Sequence, residues 1–128
     1  MTVAADRSQR ITELETALAN GFPSQSTLVV HADDASGRLT IQVSWVRVPA
    51  EASARQWRCV VDLHFEPDVL ARYASLGGAD RLRVRTHVCD MARRAVDEQK
   101  PRVEDAEIEC SVALDVTGEE LDRALSAP

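Results

Sequence analysis

Alternating apolar and polar positions mark the stretch between residues 26 and 65. In residues 57–65, apolar side chains occupy every second position: Trp57, Cys59, Val61, Leu63 and Phe65. A period of two places one set of side chains against a core and the other toward water, which is typical of an antiparallel strand covered on one side. Residues 26–32 and 38–48 predict two earlier strands, and residues 33–37 predict the hairpin loop that joins them. The alternation slips after Trp45, which predicts a bulge or a strand end there.

A fourth strand is predicted at 106–116, where apolar residues again occupy alternate positions. Helices are predicted at 4–20, from Pro67 to Leu76, at 80–99, and after a Thr117–Glu120 capping box. The start of the helix at 80–99 is ambiguous, because residues 82–88 also alternate as a strand does. Asp80 as a cap favours the helix.

The predicted order is therefore α-β-β-β-α-α-β-α. It indicates an α+β fold with a four-stranded, mainly antiparallel sheet and helices on one face, and residues 1–128 form a single domain. The apolar face of the sheet is expected to pack on the helices at 4–20 and 80–99. Trp45 and Trp57 are expected to anchor that core.

Composition and the pattern of apolar runs predict the cellular location of the protein. Hydrophobic residues make up 45% of the chain and charged residues 28%, and no apolar run approaches the roughly 20 residues that span a bilayer. The first helix carries several charges and lacks the apolar segment of a signal peptide. These features predict a cytoplasmic protein.

Charge is unevenly distributed along the chain. The formal net charge is −6, yet residues 81–102 carry 7 basic against 3 acidic groups, and residues 103–128 carry 1 basic against 8 acidic groups. A basic helix followed by an acidic region predicts internal pairing or a partner surface. The candidate interaction surface consists of Arg81, Arg83, Arg85, His87 and Arg94. We expect its arginines to form a basic stripe that is offset by the acidic region 104–122 or offered to an acidic protein partner.

Catalytic and metal-binding chemistry finds little support in the sequence. His31 and His64 fall in the polar phase of their strands, where solvated histidines are favoured over a metal site shared with Asp62. The motifs of zinc proteases and of serine hydrolases are absent. We therefore predict no catalytic residue, no metal ligand and no cofactor.

The three cysteines also indicate structure more than chemistry. Cys59, Cys89 and Cys110 each occupy an apolar phase of their element, and no C-x-x-C pair occurs. All three are predicted to be buried and reduced.

Resemblances to known proteins supply three hypotheses. The strand block with flanking helices resembles double-stranded RNA-binding domains in element order, which implies a nucleic-acid interface on the helix from Arg81 to Arg94. The acidic overall charge disfavours that interface. The small acidic α/β format resembles secretion-type chaperones, which are commonly dimers. Residues 41–46 and 70–74 resemble a family of small proteobacterial proteins grouped as a domain of unknown function, and that resemblance implies no activity.

The sequence thus favours a non-enzymatic, cytoplasmic protein-binding or adaptor/chaperone-like module whose partner is unknown. A homodimer is compatible with it, and no membrane or cofactor is expected. The alternatives are a nucleic-acid-binding domain that uses the Arg81–Arg94 helix and an enzyme with an unrecognised site.

Overall fold

The computed structural model describes residues 3–22, 26–33, 35–47, 57–98 and 109–126. Its elements, in chain order, are α1 (Val3–Gly21), β1 (Thr27–Ala32), β2 (Leu39–Arg47), β3 (Trp57–Phe65), α2 (Pro67–Ser75), α3 (Gly78–Glu98), β4 (Glu109–Val116) and α4 (Gly118–Ser126). The predicted α+β class and element order are confirmed. The predicted strand residues 106–108 lie outside the described residues.

The four strands form one mixed sheet in the order β1-β2-β3-β4. The β1–β2 and β2–β3 pairs are antiparallel, as the short connections predict, and the β3–β4 pair is parallel. Between β3 and β4 the chain runs through α2 and α3, so β4 enters the sheet from the same end as β3. The mainly antiparallel prediction therefore holds for two of the three pairs.

The alternation of the central strands places one face of the sheet in the core. Ile41, Val43, Val61 and Leu63 are all 0% exposed. The helices cover this face with buried side chains that include Leu14, Leu18, Val84 and Val88. The core thus lies between the sheet and the helix layer, as the one-sided strands and helices predict.

The described part of β2 contains no bulge after Trp45. Pairing of β2 with β3 continues without interruption through Trp45↔Cys59 to Arg47↔Trp57, where the described part of β2 stops. Trp45 is buried and its ring lies 5.0 Å from that of Phe22. Trp45 therefore anchors the core as predicted, while the side chain of Trp57 lies outside the described residues.

The β1–β2 hairpin is closed by Gly37, which adopts a left-handed φ of 73°. The amides of Gly37 and Asp33 bond to the carbonyls of Asp33 and Arg38, the arrangement of a glycine bulge at a hairpin end. A Cβ at Gly37 would lie 3.1 Å from Cγ of Pro67, the first residue of α2. The hairpin tip is thereby packed onto the start of α2.

The ambiguous segment 80–88 is helical from its beginning. α3 starts at Gly78, two residues before Asp80, and it buries Val84, Val88, Cys89 and Ala92 on one side. Helical spacing therefore outweighs the alternation of residues 82–88, because only a helix places this set of side chains on one stripe against the sheet.

The cysteine prediction is confirmed in part. Cys59 and Cys89 are buried, and the Sγ atom of Cys89 lies 3.5 Å from the carbonyl oxygen of Ala17. Burial raises the pKa of the Cys89 thiol above its ordinary value. The side chain of Cys110 lies outside the described residues.

Candidate interaction surfaces

The five residues predicted to form a basic surface on α3 do not lie on one stripe. Residues four apart share a helix side, so Arg81 and Arg85 turn toward α1, whereas Arg83 and His87 turn toward α4. Arg94 is exposed and makes no ion pair with any residue that the structure describes. The expectation of a continuous basic stripe is therefore wrong.

Arg81 and Arg85 converge on Glu13 of α1. The Nε atom of Arg81 and a terminal nitrogen of Arg85 lie 3.2 and 3.5 Å from the same carboxylate oxygen. Arg81 also donates to the carbonyl of Leu76, at the end of α2. We expected these arginines to be offset by residues 104–122. Instead, helical spacing turns both toward α1, where long, flexible side chains reach a partly shielded carboxylate.

Tyr73 of α2 completes this cluster. Its hydroxyl donates to Glu13 over 2.8 Å and accepts from Arg85 over 2.9 Å. Burial is the largest cause that raises the pKa of Tyr73 above its ordinary value, so the hydroxyl stays protonated and keeps donating at neutral pH. We call Glu13, Tyr73, Arg81 and Arg85 the Glu13 cluster; it joins α1, α2 and α3.

His87 and Arg83 contact α4 instead. The Nε2 atom of His87 lies 2.7 Å from a carboxylate oxygen of Glu120, and Arg123 donates to the other oxygen over 2.8 Å. Arg83 donates to the carbonyl of Leu125 over 3.4 Å. His87 thus pairs with Glu120 of the acidic region. One of the two hydrogen bonds of the predicted capping box is present: the Glu120 amide donates to the Thr117 hydroxyl. The Glu120 carboxylate contacts His87 instead.

The sheet face opposite the helices is polar. Its register brings His31, Thr40, His64 and Asp115 into one row across the four strands. The hydroxyl of Thr40 lies 2.9 Å from Nδ1 of His64. In the next row Gln42 donates to Asp62 over 2.9 Å. The open face is therefore organised by cross-strand hydrogen bonds.

The described residues of this row do not form a group of metal ligands. β2 lies between the strands that carry His31 and His64. Within the described ranges, no group of three His, Cys, Asp or Glu side chains could hold a metal ion. The two histidines lie on the open face of the sheet, where His64 is hydrogen-bonded to Thr40.

Among the strands that the structure describes, β1 lies at an edge of the sheet, with β2 as its hydrogen-bonded neighbour. The bond from the Asp33 amide to the Arg38 carbonyl fixes the phase of the ladder. In an antiparallel pair, alternate residues direct both main-chain groups toward the partner strand. Thr27, Val29 and His31 therefore bond to β2, and the amides and carbonyls of Leu28, Val30 and Ala32 point outward.

The residues of β1 are not of the types that usually prevent strand pairing. Its sequence, TLVVHA, contains no proline, no lysine and no carboxylate. Val29 is 51% exposed on the open face, and Leu28 and Val30 are only partly buried on the helix side. The sequence pattern did not predict this surface, because local periodicity does not give the order of the strands in the sheet. The low charge of residues 27–32 was the available signal.

The chain belongs to the family described as protein of unknown function (DUF3022), whose model matches residues 11–115. The predicted resemblance to a family of this kind is confirmed, and it carries no activity. No curated protein and no solved structure matches the chain. None of the described helices is long and apolar enough to cross a membrane.

Proposed function

We propose that the protein is a non-enzymatic protein-binding module of the bacterial cytoplasm and that it binds an extended segment of a partner protein along β1. The observation that carries this proposal is the outward-facing edge of that strand. Addition of a strand to a sheet edge is a recurring mode of peptide recognition, in which main-chain hydrogen bonds supply affinity and alternate side chains supply specificity.

The main chain of β1 provides the affinity. Leu28, Val30 and Ala32 direct three amides and three carbonyls outward, as the ladder phase set by Asp33 requires. A partner strand satisfies all of these groups together. Because the strand is already ordered in the sheet, the protein loses little main-chain conformational entropy when the partner binds.

The flanking side chains define the partner segment. On the helix side its residues would lie beside the half-buried Leu28 and Val30, so apolar residues are favoured there. On the open side they would lie beside Val29 and His31. The net charge of −6 disfavours acidic partners. The segment is therefore expected to alternate apolar with neutral or basic residues.

The engagement of the α3 arginines supports this choice over nucleic acid. Arg81 and Arg85 already contact Glu13, and Arg93 pairs with Asp90 over 2.9 Å. A phosphate backbone would have to displace those partners. Arg83 and Arg94 are the exposed arginines that remain on this helix, fewer than duplex binding ordinarily uses.

The test compares two substitutions at one position. Val30→Pro removes an outward amide and leaves the bonds to β2 in place, whereas Val30→Ala removes the same packing and keeps the amide. Tagged wild type and both variants are used to capture proteins from a bacterial lysate, with and without nuclease treatment. A captured protein is identified, and its extended segment is synthesised and titrated against the three purified baits. Thermal unfolding confirms that each bait is folded.

We expect the segment to bind the wild type and Val30→Ala with similar affinity. It should bind Val30→Pro at least tenfold more weakly. Equal binding to the proline variant, or capture that nuclease abolishes, would contradict the proposal. Sedimentation of the purified wild type provides a second criterion: a dimer that Val30→Pro dissociates would assign the edge to a second copy of the chain.

A further inference from the structure

A groove of about 240 Å³ lies between α1 and α2, beside the hairpin tip at Gly37. Its lining is mostly apolar and includes two arginines; the residues that matter here are Arg7, Arg10, Ile11, Leu70 and Ala74. The groove is separate from the outward edge of β1. It combines an apolar surface with positive charge, which is the chemistry that recognises an amphipathic anion.

Arg10 has unused capacity as a donor. Its side chain is 15% exposed, and its Nε atom is buried with no hydrogen-bond partner among the residues that the structure describes. Its two terminal nitrogens make only long contacts, 3.4 Å to Glu13 and 3.4 Å to Gln9. A buried donor without an acceptor is costly, and an acceptor supplied by a ligand would remove that cost.

The surrounding charges also favour an anion. Glu13 is the carboxylate next to Arg10, and Arg81 and Arg85 contact it as well. One carboxylate, that of Glu13, therefore contacts three guanidinium groups. Arg7, which also lines the groove, makes no ion pair within the described part of the chain. Among the described residues, Glu13 is therefore the carboxylate paired with an arginine of this groove, and arginine pairs carboxylates in a two-pronged geometry.

We propose that this groove binds a small amphipathic monocarboxylate. Its carboxylate bonds to Arg7 and Arg10, and its hydrocarbon chain lies along Ile11, Leu70 and Ala74. A volume of 240 Å³, set against the ~30 Å³ that a water occupies in the liquid, corresponds to roughly eight non-hydrogen atoms. A hydrocarbon chain of about eight carbons therefore fills the groove.

The test is an NMR titration of the ¹⁵N-labelled protein with three probes. Octanoate carries both features, 1-octanol the chain without the charge, and acetate the charge without the chain. We expect octanoate to bind with a Kd on the order of 1 mM or tighter and to shift the amides of residues 7–11 and 70–74. Octanol and acetate are expected to bind at least tenfold more weakly. Equal binding of octanol, or shifts confined to other elements, would overturn the proposal.

Matched arginine variants separate a defined site from general charge attraction. Arg7→Gln removes a proposed ligand group, whereas Arg94→Gln removes an exposed arginine of α3 that also lacks an ion pair among the described residues. We expect Arg7→Gln to weaken octanoate about tenfold and Arg94→Gln to leave it unchanged. Ala74→Phe fills the groove and is expected to abolish binding while the spectrum stays folded. Equal effects of the two arginine variants would contradict the proposal.

Discussion

The arginines of α3 and the strand β1 form a contrast between what is prominent in the sequence and what the structure leaves exposed. The arginines are the most conspicuous feature of the chain, yet Arg81 and Arg85 are engaged within the helix layer by Glu13. Strand β1 carries no charge and no motif, yet its outward main-chain groups are directed away from β2. Side-chain charge can be neutralised inside a fold, whereas a strand at a sheet edge keeps one row of main-chain groups for a new partner.

The two edges of the sheet extend this comparison. Strand β4 carries Glu109 and Asp115, and Asp115 pairs with Arg38 over 3.0 Å. Charged residues on an edge strand oppose pairing with another chain. β1 has no such residue among Thr27–Ala32. The sheet therefore has one edge strand with charged residues and one without them.

The largest expected effect separates the inward from the outward amides of β1. Val29→Pro removes an amide that bonds to β2, and we expect it to lower the free energy of unfolding by about 3 kcal/mol or more. Val30→Pro, one residue away, removes an outward amide and should cost clearly less. Urea unfolding of both variants measures the difference. Equal losses would show that the ladder phase inferred from Asp33 and Arg38 is wrong.

The next effect tests whether the helix layer depends on its internal charges. Glu13→Gln leaves three guanidinium groups and the Tyr73 hydroxyl around a neutral amide. We expect a loss of about 2 kcal/mol, because these side chains are partly shielded from water.

Asp90→Asn is the matched control for Glu13→Gln. Its ion pair with Arg93 is exposed, so its removal should change the free energy of unfolding by less than about 0.5 kcal/mol. If both variants unfold at the same urea concentration, the Glu13 cluster is a surface feature and the arginines are available for a partner.

The smallest effect on stability comes from giving β1 the protection that β4 already has. Val29 is exposed, so Val29→Lys should change the free energy of unfolding by less than about 0.5 kcal/mol. The added charge is nevertheless expected to weaken binding of the partner segment several-fold. Ser111→Lys, at an exposed position of β4, is the control and should leave that binding intact. Equal weakening by both lysines would indicate a general charge effect.

The sequence predicted what depends on local periodicity. The alternation of residues 57–65 and the helical spacing of residues 84–92 identified the elements and their buried sides, because burial on one side imposes the period. The parallel pairing of β4 depends on the path of the chain through α2 and α3, which no local pattern encodes. The partners of Arg81 and Arg85 depend on how α1 packs beside α3. The position of β1 at an edge depends on the strand order, and the groove depends on the packing of α1 against α2.

Hydrogen exchange at β1 tests the central claim most directly. At low protein concentration, without any partner, the amides of Leu28 and Val30 should exchange rapidly, and the amide of Val29 should be protected by its bond to β2. Addition of the identified partner segment should protect Val30 selectively. A Val30 amide that is already as protected as that of Val29 in the isolated protein would show that the edge is covered, and would contradict the account.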